Sequence, residues 1–478
     1  MTTHFSLMIP GASASETVNV TAPFDGSNIA TIEVADEKAI ETALATAYAL
    51  YRDRSKWLSA SKRIEILEKT AHIMSERAEE LAVEAAREGG KPLIDSRVEV
   101  ARAIDGVRNC VECMRTETGK EIKMGVNPAS EHRLAFTHHE PIGVVVSVSA
   151  FNHPLNLIIH QVGPAIAAGC PVIVKPTQDT PLSCMRFVKI LREAGLPDEW
   201  CQPAVITNRD VATGLVADER VGFFSFIGSA KVGWMLRSKL AAGTRCALEH
   251  GGVAPVILEP DADLDDAIPL LAKGGFYHAG QVCVSVQRVF CHESVVQQVA
   301  EGIAEIGSKM RVGDPTLADT DVGPLIRHAE NDRVHEWVTE AIDRGATKLC
   351  GGEKISDSCY QPTVLLNPPA DAKVSTLEVF GPVICVYSYT DMDEAIARAN
   401  SLPVAFQASV FTKNIDRAMR AYKNLDASAV MVNDFTAFRV DWMPFAGLKH
   451  SGLGVGGIPY TFEDMQVKKL MVIRSPDL

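Results

Sequence analysis

The chain has 478 residues, 46% hydrophobic and 22% charged, which is enough apolar material for large cores and, by length, for two to four domains. Its net charge of −13 disfavours nonspecific nucleic-acid binding, and no apolar run approaches the ~20 residues that cross a bilayer. The N-terminus lacks a secretory pattern, and the eleven cysteines follow no disulfide framework, so we expect a cytoplasmic protein with reduced thiols.

The first 120 residues predict helices. Apolar residues three to four positions apart predict amphipathic helices over residues 37–57, 62–88 and about 93–117. Cys110 and Cys113 fall within the third helix without a second cysteine pair, so we interpret them as ordinary packing residues and predict no metal site.

Short valine-rich runs then alternate with helical runs, a pattern typical of buried parallel strands joined by crossover helices. The first series predicts strands at 142–150, 171–175, 204–206 and 221–227, with helices at 155–168, 181–194 and 230–241. A second series predicts strands at 256–259, 286–292, 383–389, 409–412 and 429–432, with helices between them. We therefore predict two successive α/β domains whose strand ends face a shared cleft.

Two segments belong to neither series. Residues 121–140 are polar and predict a hairpin, and residues 467–474 predict a strand without a local partner. Either they form an edge completed by another subunit, or they are ordinary surface strands.

A lone cysteine stands out at the junction between a predicted helix and a predicted strand. Cys283 follows Gly280, Gln281 and Val282, where the irregular backbone can expose its thiol. A nucleophilic cysteine needs such exposure and a means of ionising. Cysteine is more often a small buried residue, so this motif alone decides nothing.

Two further polar residues end predicted strands. Asn152 follows the strand at 142–150 and could aim its amide at an oxyanion, although asparagine also favours turns. Glu249 stands before Gly251 and Gly252 and could act as a general base, or it could be a solvated loop acid.

Other strand ends offer candidate cofactor ligands. Lys175 could bind ribose hydroxyls or a phosphate, and residues 226–233 turn from a strand through glycine into a helix, whose N–H groups can cradle a phosphate. The turn is not the Gly-x-Gly-x-x-Gly fingerprint, so it is moderate support for a dinucleotide. Glu378 could bind hydroxyls while Phe380 packs against a flat ring.

Taken together, these motifs resemble the aldehyde dehydrogenase superfamily from about residue 22 to 473. Cys283 lies in its nucleophile motif, Glu249 in its general-base motif and Asn152 in its oxyanion segment. The late run 444–452, PFAGLKHSG, matches a further motif of that family. The cofactor-binding residues implied by the resemblance are Lys175, Gln178, Gly228, Ser229, Gly233, Glu378 and Phe380.

The resemblance implies an aldehyde dehydrogenase-like α/β fold with three parts. These are a Rossmann-like NAD(P)-binding domain, an α/β catalytic domain and a β arm that builds a homodimer or homotetramer. In this sequence they correspond to residues 1–120 with 141–249, residues 250–432, and residues 121–140 with 466–478. The resemblance also implies that residues 433–465 form a return segment lining the cleft.

The resemblance also implies a mechanism. The Cys283 thiolate attacks the aldehyde, Asn152 and the Cys283 N–H hold the oxyanion, and hydride transfer to NAD or NADP leaves a thioester that water activated by Glu249 hydrolyses. Two alternatives are a CoA-acylating semialdehyde dehydrogenase, which lacks the general base, and a catalytically silent homologue, which would lack Cys283 or Asn152.

Three positions depart from the family pattern. His250 stands where leucine is usual, Ala446 replaces a glycine, and Gln178 stands where NAD-preferring relatives often have glutamate. A neutral Gln178 beside Lys175 does not repel a 2′-phosphate, so we expect NADP to be accepted at least as well as NAD.

The segment 433–441 resembles the branch that handles lactaldehyde, glyceraldehyde and related short oxygenated or anionic aldehydes. Arg439 is the candidate ligand for an acidic group because guanidinium grips carboxylate or phosphate in a bidentate way, with Arg102 and His153 as helpers. Alternatively, Arg439 pairs with Asp441 or Asp434 and only shapes the loop.

The arginine positions typical of succinate-semialdehyde enzymes are occupied by His160 and Tyr277. This disfavours that substrate. We expect the cavity to be lined by the helix after Asn152, the neighbours of Cys283, the Asn109 side of the third helix and the loop before Pro444.

Overall fold

The computed structural model describes residues 3–478. It opens with a small sheet that the sequence reading did not anticipate, in the order β1-β3-β2, followed by four helices. These elements are β1 (Thr3–Phe5), β2 (Glu16–Thr21), β3 (Asn28–Val34), α1 (Glu37–Arg52), α2 (Ala60–Glu76), α3 (Ala78–Gly89) and α4 (Leu93–Thr116). The single helix predicted over 62–88 was wrong, because the backbone of Arg77 (φ −108°, ψ 19°) leaves helical geometry and separates α2 from α3.

The next segment is a hairpin, as the polar run 121–140 predicts. Strand β4 (Glu121–Ile122) pairs antiparallel with β5 (Arg133–Pro141).

The first α/β layer follows, and its strands form a parallel sheet in the order β10-β9-β6-β7-β8. Its elements are β6 (Val144–Val148), α5 (Asn156–Ala168), β7 (Val172–Lys175), α6 (Leu182–Glu193), β8 (Cys201–Pro203), α7 (Arg209–Ala217), β9 (Val221–Ile227), α8 (Ala230–Arg237) and β10 (Arg245–Glu249). The strand predicted at 204–206 was wrong, since pairing with β7 ends at Pro203. From β6 the chain adds β7 and β8 on one side, and it then adds β9 and β10 on the other side of β6. Ligands bind at the carboxyl ends of the strands where the strand order switches in this way.

The second α/β layer has seven strands in the order β13-β14-β15-β12-β11-β17-β18, parallel except for β13. Its elements are β11 (Pro255–Leu258), α9 (Leu264–Phe276), β12 (Arg288–His292), α10 (Val296–Lys309), α11 (His328–Asp343), β13 (Thr347–Cys350), β14 (Thr363–Leu366), α12 (Lys373–Thr376), β15 (Val383–Tyr389), α13 (Met392–Asn400), β17 (Gln407–Phe411), α14 (Ile415–Asn424) and β18 (Ala429–Val432). The two-residue strand β16 (Val404–Ala405), between α13 and β17, lies outside this sheet.

The chain end returns to the first layer. It contains β19 (Leu448–Lys449), β20 (Gly452–Leu453), α15 (Ile458–Asp464) and β21 (Gln466–Arg474), and β20 adds antiparallel to β10. The segment 467–474 has no partner nearby in sequence, as predicted, but it is not isolated, because β21 pairs antiparallel with the distant β5 of the same chain from Gln466↔Pro141 to Arg474↔Arg133. Within residues 3–478, no helix has the length and apolarity needed to span a bilayer.

Candidate active site

A cavity of about 600 Å³ lies where the strand ends of the first layer meet the segment between α9 and β12. Most of the predicted site residues line it. They are Arg102, Asn152, His153, Lys175, Gly228, Ser229, Glu249, Cys283, Glu378, Phe380 and Arg439. Gln178, Gly233 and Asn109 lie outside this lining.

Cys283 lies in a turn of unusual backbone geometry. His278, Ala279 and Gly280 adopt positive φ angles of 49°, 53° and 69° in succession, a conformation costly for the two non-glycine residues. At Gly280 a Cβ would lie 2.0 Å from the Gly381 carbonyl oxygen, so only glycine fits. The turn therefore presents Cys283 to the cavity instead of packing it in a core.

Gln281 fixes this turn from inside. Its Nε2 donates to the carbonyls of His278 (3.3 Å) and Pro324 (3.2 Å), and its Oε1 accepts from the Ile326 N–H at 3.0 Å. Its own carbonyl accepts from Asn152 Nδ2 at 3.0 Å. The Asn152 amide has a second N–H, so it can also donate to an oxyanion at Cys283.

The carboxylate of Glu249 stands at the end of β10. A Cβ at Gly456 would lie 2.0 Å from Glu249 Oε1, so the glycine makes room for this side chain. Burial raises the pKa of Glu249 to about 7, and the Arg439 charge opposes the shift. A carboxyl that titrates near neutrality is suited to take a proton from water.

The surroundings of Cys283 favour its protonated form. Burial raises its pKa to about 12, with contributions from the negative charges of Glu378 and Glu249 and opposition from Arg439. Its ionisation therefore depends on losing its proton to a base or on a change of charge around it.

At the other end of the cavity, the groups match a dinucleotide. Ser229 precedes α8 without a side-chain cap, which leaves N–H groups for a phosphate, and Lys175 ends β7. Burial raises the pKa of Glu378 to about 8, and its Oε1 has no hydrogen-bond partner within residues 3–478. An unpartnered buried carboxyl oxygen fits a ligand with hydroxyl donors, such as a ribose.

Gln287 positions Glu378 through the backbone. Its Nε2 donates to the carbonyls of Val374 (3.0 Å) and Leu377 (2.7 Å), and its Oε1 accepts from the Val379 N–H at 2.9 Å. The buried glutamines 281 and 287 were missed by the sequence reading because nothing in their neighbourhoods separates them from polar loop residues.

Two predicted cofactor residues lie elsewhere. Gln178 Nε2 donates to the Ile206 carbonyl at 2.8 Å, and the side chain lines a neighbouring cavity. Position 233 requires a glycine, because a Cβ there would lie 2.0 Å from the ring of His250. His250 Nδ1–H in turn donates to the Gly228 carbonyl at 2.8 Å and ties the segment after Glu249 to the turn that precedes α8.

The substrate end contains a buried polar cluster around Asp441. Arg102 binds this carboxylate in a bidentate way (2.7 and 3.1 Å), and His160 Nε2–H donates to it at 2.7 Å. Although burial opposes its ionisation, the His160 hydrogen bond and the Arg102 charge hold the pKa of Asp441 below the ordinary value.

Arg439 is only loosely engaged in this cluster. Its Nε lies 3.8 Å from Asp441, and its guanidinium carbon lies 3.5 Å from the centre of the Phe445 ring. Its Nη1 is buried without a hydrogen-bond partner within residues 3–478. Burial lowers the pKa of Arg439 only to about 10, so the guanidinium is charged at neutral pH and can bind an anion.

Comparison with known proteins places the chain among enzymes. The family model described as "Aldehyde dehydrogenase family" matches residues 10–471. The 3-sulfolactaldehyde dehydrogenase of Priestia aryabhattai is 36% identical over 460 residues, which cover 96% of this chain and 95% of that protein.

Two crystal structures share the fold. Aldehyde dehydrogenase 21 from Physcomitrella patens, in complex with the reaction product succinate, has a TM-score of 0.95 and 33% identity over 99% of both chains. Glyceraldehyde-3-phosphate dehydrogenase GapN from Methanocaldococcus jannaschii, complexed with NADP, has a TM-score of 0.91 and 34% identity over 96% of this chain and 99% of that one. These matches confirm the predicted fold class.

Proposed function

Because the chain belongs to the aldehyde dehydrogenase family and is an NAD(P)-dependent enzyme for small aldehydes, we propose that its substrate is a short aldehyde bearing a hydroxyl or an acidic group. The single observation that carries the proposal is the charged, buried Arg439 with an unpartnered Nη1 in the cavity of Cys283.

In the proposed mechanism, Cys283 is the nucleophile. As a thiolate, which has already lost its proton, its sulfur attacks the aldehyde carbon, and the carbonyl oxygen becomes an oxyanion held by Asn152 Nδ2 and the Cys283 N–H. The cofactor supplies the acceptor for the hydride that leaves this carbon. Lys175, Gly228, Ser229, Glu378 and Phe380 would hold it, and the acyl group stays on sulfur as a thioester.

Glu249 then acts as the general base. Its carboxylate takes a proton from water, the hydroxide attacks the thioester, and Cys283 leaves as the acid is released. The carboxylate at this position argues against a CoA-acylating enzyme, and the presence of Cys283 and Asn152 in one cavity argues against a silent homologue. The assay that separates the three outcomes is acid release into water, with reduced cofactor formed.

The acidic substituent is assigned to Arg439. Arg102 binds both carboxylate oxygens of Asp441, whereas Arg439 approaches this carboxylate only to 3.8 Å. The charge of Arg439 is therefore still available to bind an anionic substrate. No hydrogen bond or ion pair links Arg439 to Asp434 within residues 3–478. Arg102 and His153 complete the wall, and the relatives' names include a sulfonated and a phosphorylated aldehyde.

We predict that Arg439→Ala raises KM for an anionic aldehyde by about 30- to 150-fold, since a hydrogen-bonded charge contributes about 2–3 kcal/mol. For a neutral alkyl aldehyde of the same length, KM should change by less than about threefold. Steady-state kinetics on both substrates measure the difference.

Arg344→Ala is the matched control, because Arg344 pairs only with the surface acids Glu340 and Asp371. An equal rise of KM for the neutral and the anionic aldehyde would show that Arg439 is structural, and the substrate assignment would fail.

For the cofactor, we propose that NADP is accepted at least as well as NAD. Position 178 carries a neutral glutamine, so it places no carboxylate near a 2′-phosphate, and Lys175 supplies positive charge in the cavity. The Gln178 amide donates to the Ile206 carbonyl, so it does not donate to the 2′-phosphate of NADP. NADP is accepted because no negative charge at position 178 repels this phosphate.

We predict that kcat/KM for NAD exceeds that for NADP by less than about a hundredfold, or 2.7 kcal/mol. Gln178→Glu should shift the ratio towards NAD by about tenfold or more, because it introduces a negative charge. Gln178→Met, which is neutral and of similar size, should leave the ratio unchanged. A shift of similar size in Gln178→Met would remove charge as the cause.

We also propose the domain roles, oligomer and compartment given by the resemblance. The first sheet with its switch point would bind the cofactor, the second layer would carry Cys283, and the β5–β21 arm would join subunits. In support, Leu470, Met471, Val472 and Ile473 on β21 are all exposed. A reducing cytoplasm agrees with the eleven unpaired cysteines.

A further inference from the structure

Four side chains joined by hydrogen bonds form a line that ends at the wall of the substrate cavity. Lys91 Nζ lies 2.5 Å from Glu99 Oε2 and 2.6 Å from His153 Nδ1. On the other side of the ring, His153 Nε2 lies 3.2 Å from the Tyr277 hydroxyl oxygen. The side chains of Lys91 and Glu99 are each 1% exposed, so solvent does not rearrange this line.

The direction of the hydrogens follows from the buried end. Glu99 Oε1 accepts the backbone N–H groups of Leu155 (2.9 Å) and Asn156 (3.0 Å) while Oε2 accepts from Lys91. Burial lowers the pKa of Lys91, while the charge of Glu99 and its hydrogen bond at 2.5 Å oppose that shift, and this close ion pair holds Lys91 as an ammonium. An ammonium can only donate, so His153 Nδ1 must accept.

That acceptor role fixes the tautomer of His153. Burial and the Lys91 charge keep the pKa of His153 well below its ordinary value, so the ring is neutral. A neutral ring with Nδ1 as acceptor carries its hydrogen on Nε2 and donates it to the Tyr277 oxygen. Since His153 is the one hydrogen-bond partner of this hydroxyl within residues 3–478, the Tyr277 O–H is left to donate elsewhere.

The space open to this hydroxyl group is the active-site cavity. Tyr277 lines it and packs in the same small cluster as Cys283 and Val282. A substrate bound at Cys283 therefore shares this cavity with the Tyr277 hydroxyl. We propose that Tyr277 donates its hydrogen to the hydroxyl oxygen on that carbon, so that the enzyme selects 2-hydroxy aldehydes.

This inference rests on the proposed function and narrows its substrate class. Tyr277 is the specificity-determining residue, whereas Lys91 and His153 are positioning residues that set the direction of its hydrogen. A site that donates to a substrate hydroxyl disfavours the analogue without it, because the buried donor then stays unpaired.

The test compares matched aldehydes that differ only in that hydroxyl, lactaldehyde with propanal and glycolaldehyde with acetaldehyde. Wild-type enzyme should prefer the hydroxylated member of each pair. Tyr277→Phe should lower kcat/KM for that member by about 10- to 100-fold and change the other by less than about threefold. Tyr387→Phe is the control, because the Tyr387 hydroxyl donates to Ser375 outside the cavity.

The tautomer is read separately from the ¹⁵N ring resonances of His153 in the wild-type enzyme, assigned by their loss in His153→Gln. A hydrogen on Nε2 is expected, and one on Nδ1 overturns the inference. In Lys91→Met the hydrogen should move to Nδ1 and the hydroxyl preference should fall as in Tyr277→Phe.

The two levels of proposal fail in different ways. If wild-type enzyme oxidises neither hydroxylated nor anionic aldehydes, the proposed function fails. If wild-type enzyme oxidises lactaldehyde and Tyr277→Phe either leaves both substrates unchanged or slows both equally, only the role of Tyr277 is overturned.

Discussion

Replacing Cys283 by alanine is expected to abolish aldehyde oxidation, with a loss of at least about 10⁴-fold in kcat, because removal of a covalent nucleophile leaves no other route to the acyl intermediate. Not even one equivalent of reduced cofactor should form in a rapid-mixing experiment, since hydride leaves only from the carbon attached to sulfur. Cofactor binding, followed by fluorescence quenching, should persist because Cys283 contributes no predicted cofactor contact.

Cys350→Ala is the matched control. Cys350 is also partly exposed, but it lies on the edge strand β13, away from the cavity, and its replacement should leave turnover unchanged. A stoichiometric burst of reduced cofactor in Cys283→Ala would remove this residue from the covalent step.

The strands and the strand-end motifs could be predicted because each depends on local information. A run such as residues 383–389 is buried on both faces and is therefore mostly apolar, and the predicted strand has the same bounds as β15. Lys175, Ile227 and Glu249 each end a parallel strand, so the topology alone brings their neighbourhoods to one edge of the sheet.

Features that depend on distant partners could not be predicted in this way. The apolar stripe over residues 62–88 continues across Arg77, so periodicity conceals the break between α2 and α3. Strand β21 finds its partner β5 more than 300 positions earlier in the chain, at Gln466↔Pro141, and no local pattern encodes that pairing.

The same limit applies to the substrate end of the cavity. Asp441 follows Arg439 by two positions and is its nearest acid in sequence, but Arg102 from α4 takes both carboxylate oxygens. Likewise, nothing near Tyr277 in sequence reveals Lys91, whose ammonium sets the hydrogen-bond direction from across the fold. Sequence identifies the chemical groups, and tertiary structure decides which of them are still available to a ligand.

Glu249→Gln is expected to separate the two halves of the reaction. Removing the carboxylate also removes a negative charge that raises the pKa of Cys283, so the thiol can still ionise and form the thioester. The amide cannot take a proton from water, and we predict one equivalent of reduced cofactor per active site followed by a steady state slowed about 10²- to 10⁴-fold. Rapid-mixing absorbance gives the burst, and mass spectrometry of the quenched protein should find the acyl group on Cys283.

The pH dependence of the wild-type enzyme provides an independent check. Only the ionised form of Glu249 accepts a proton, and its pKa is raised to about 7, so thioester hydrolysis should accelerate as pH rises through about 7 and level off above it. In Glu249→Gln the slow steady state should lose this inflection. Glu378 also titrates near this range, with a pKa raised to about 8, so Glu378→Gln serves as the control and should retain the inflection near 7. Full steady-state turnover in Glu249→Gln, or an inflection that disappears only in Glu378→Gln, would assign the general base to another residue.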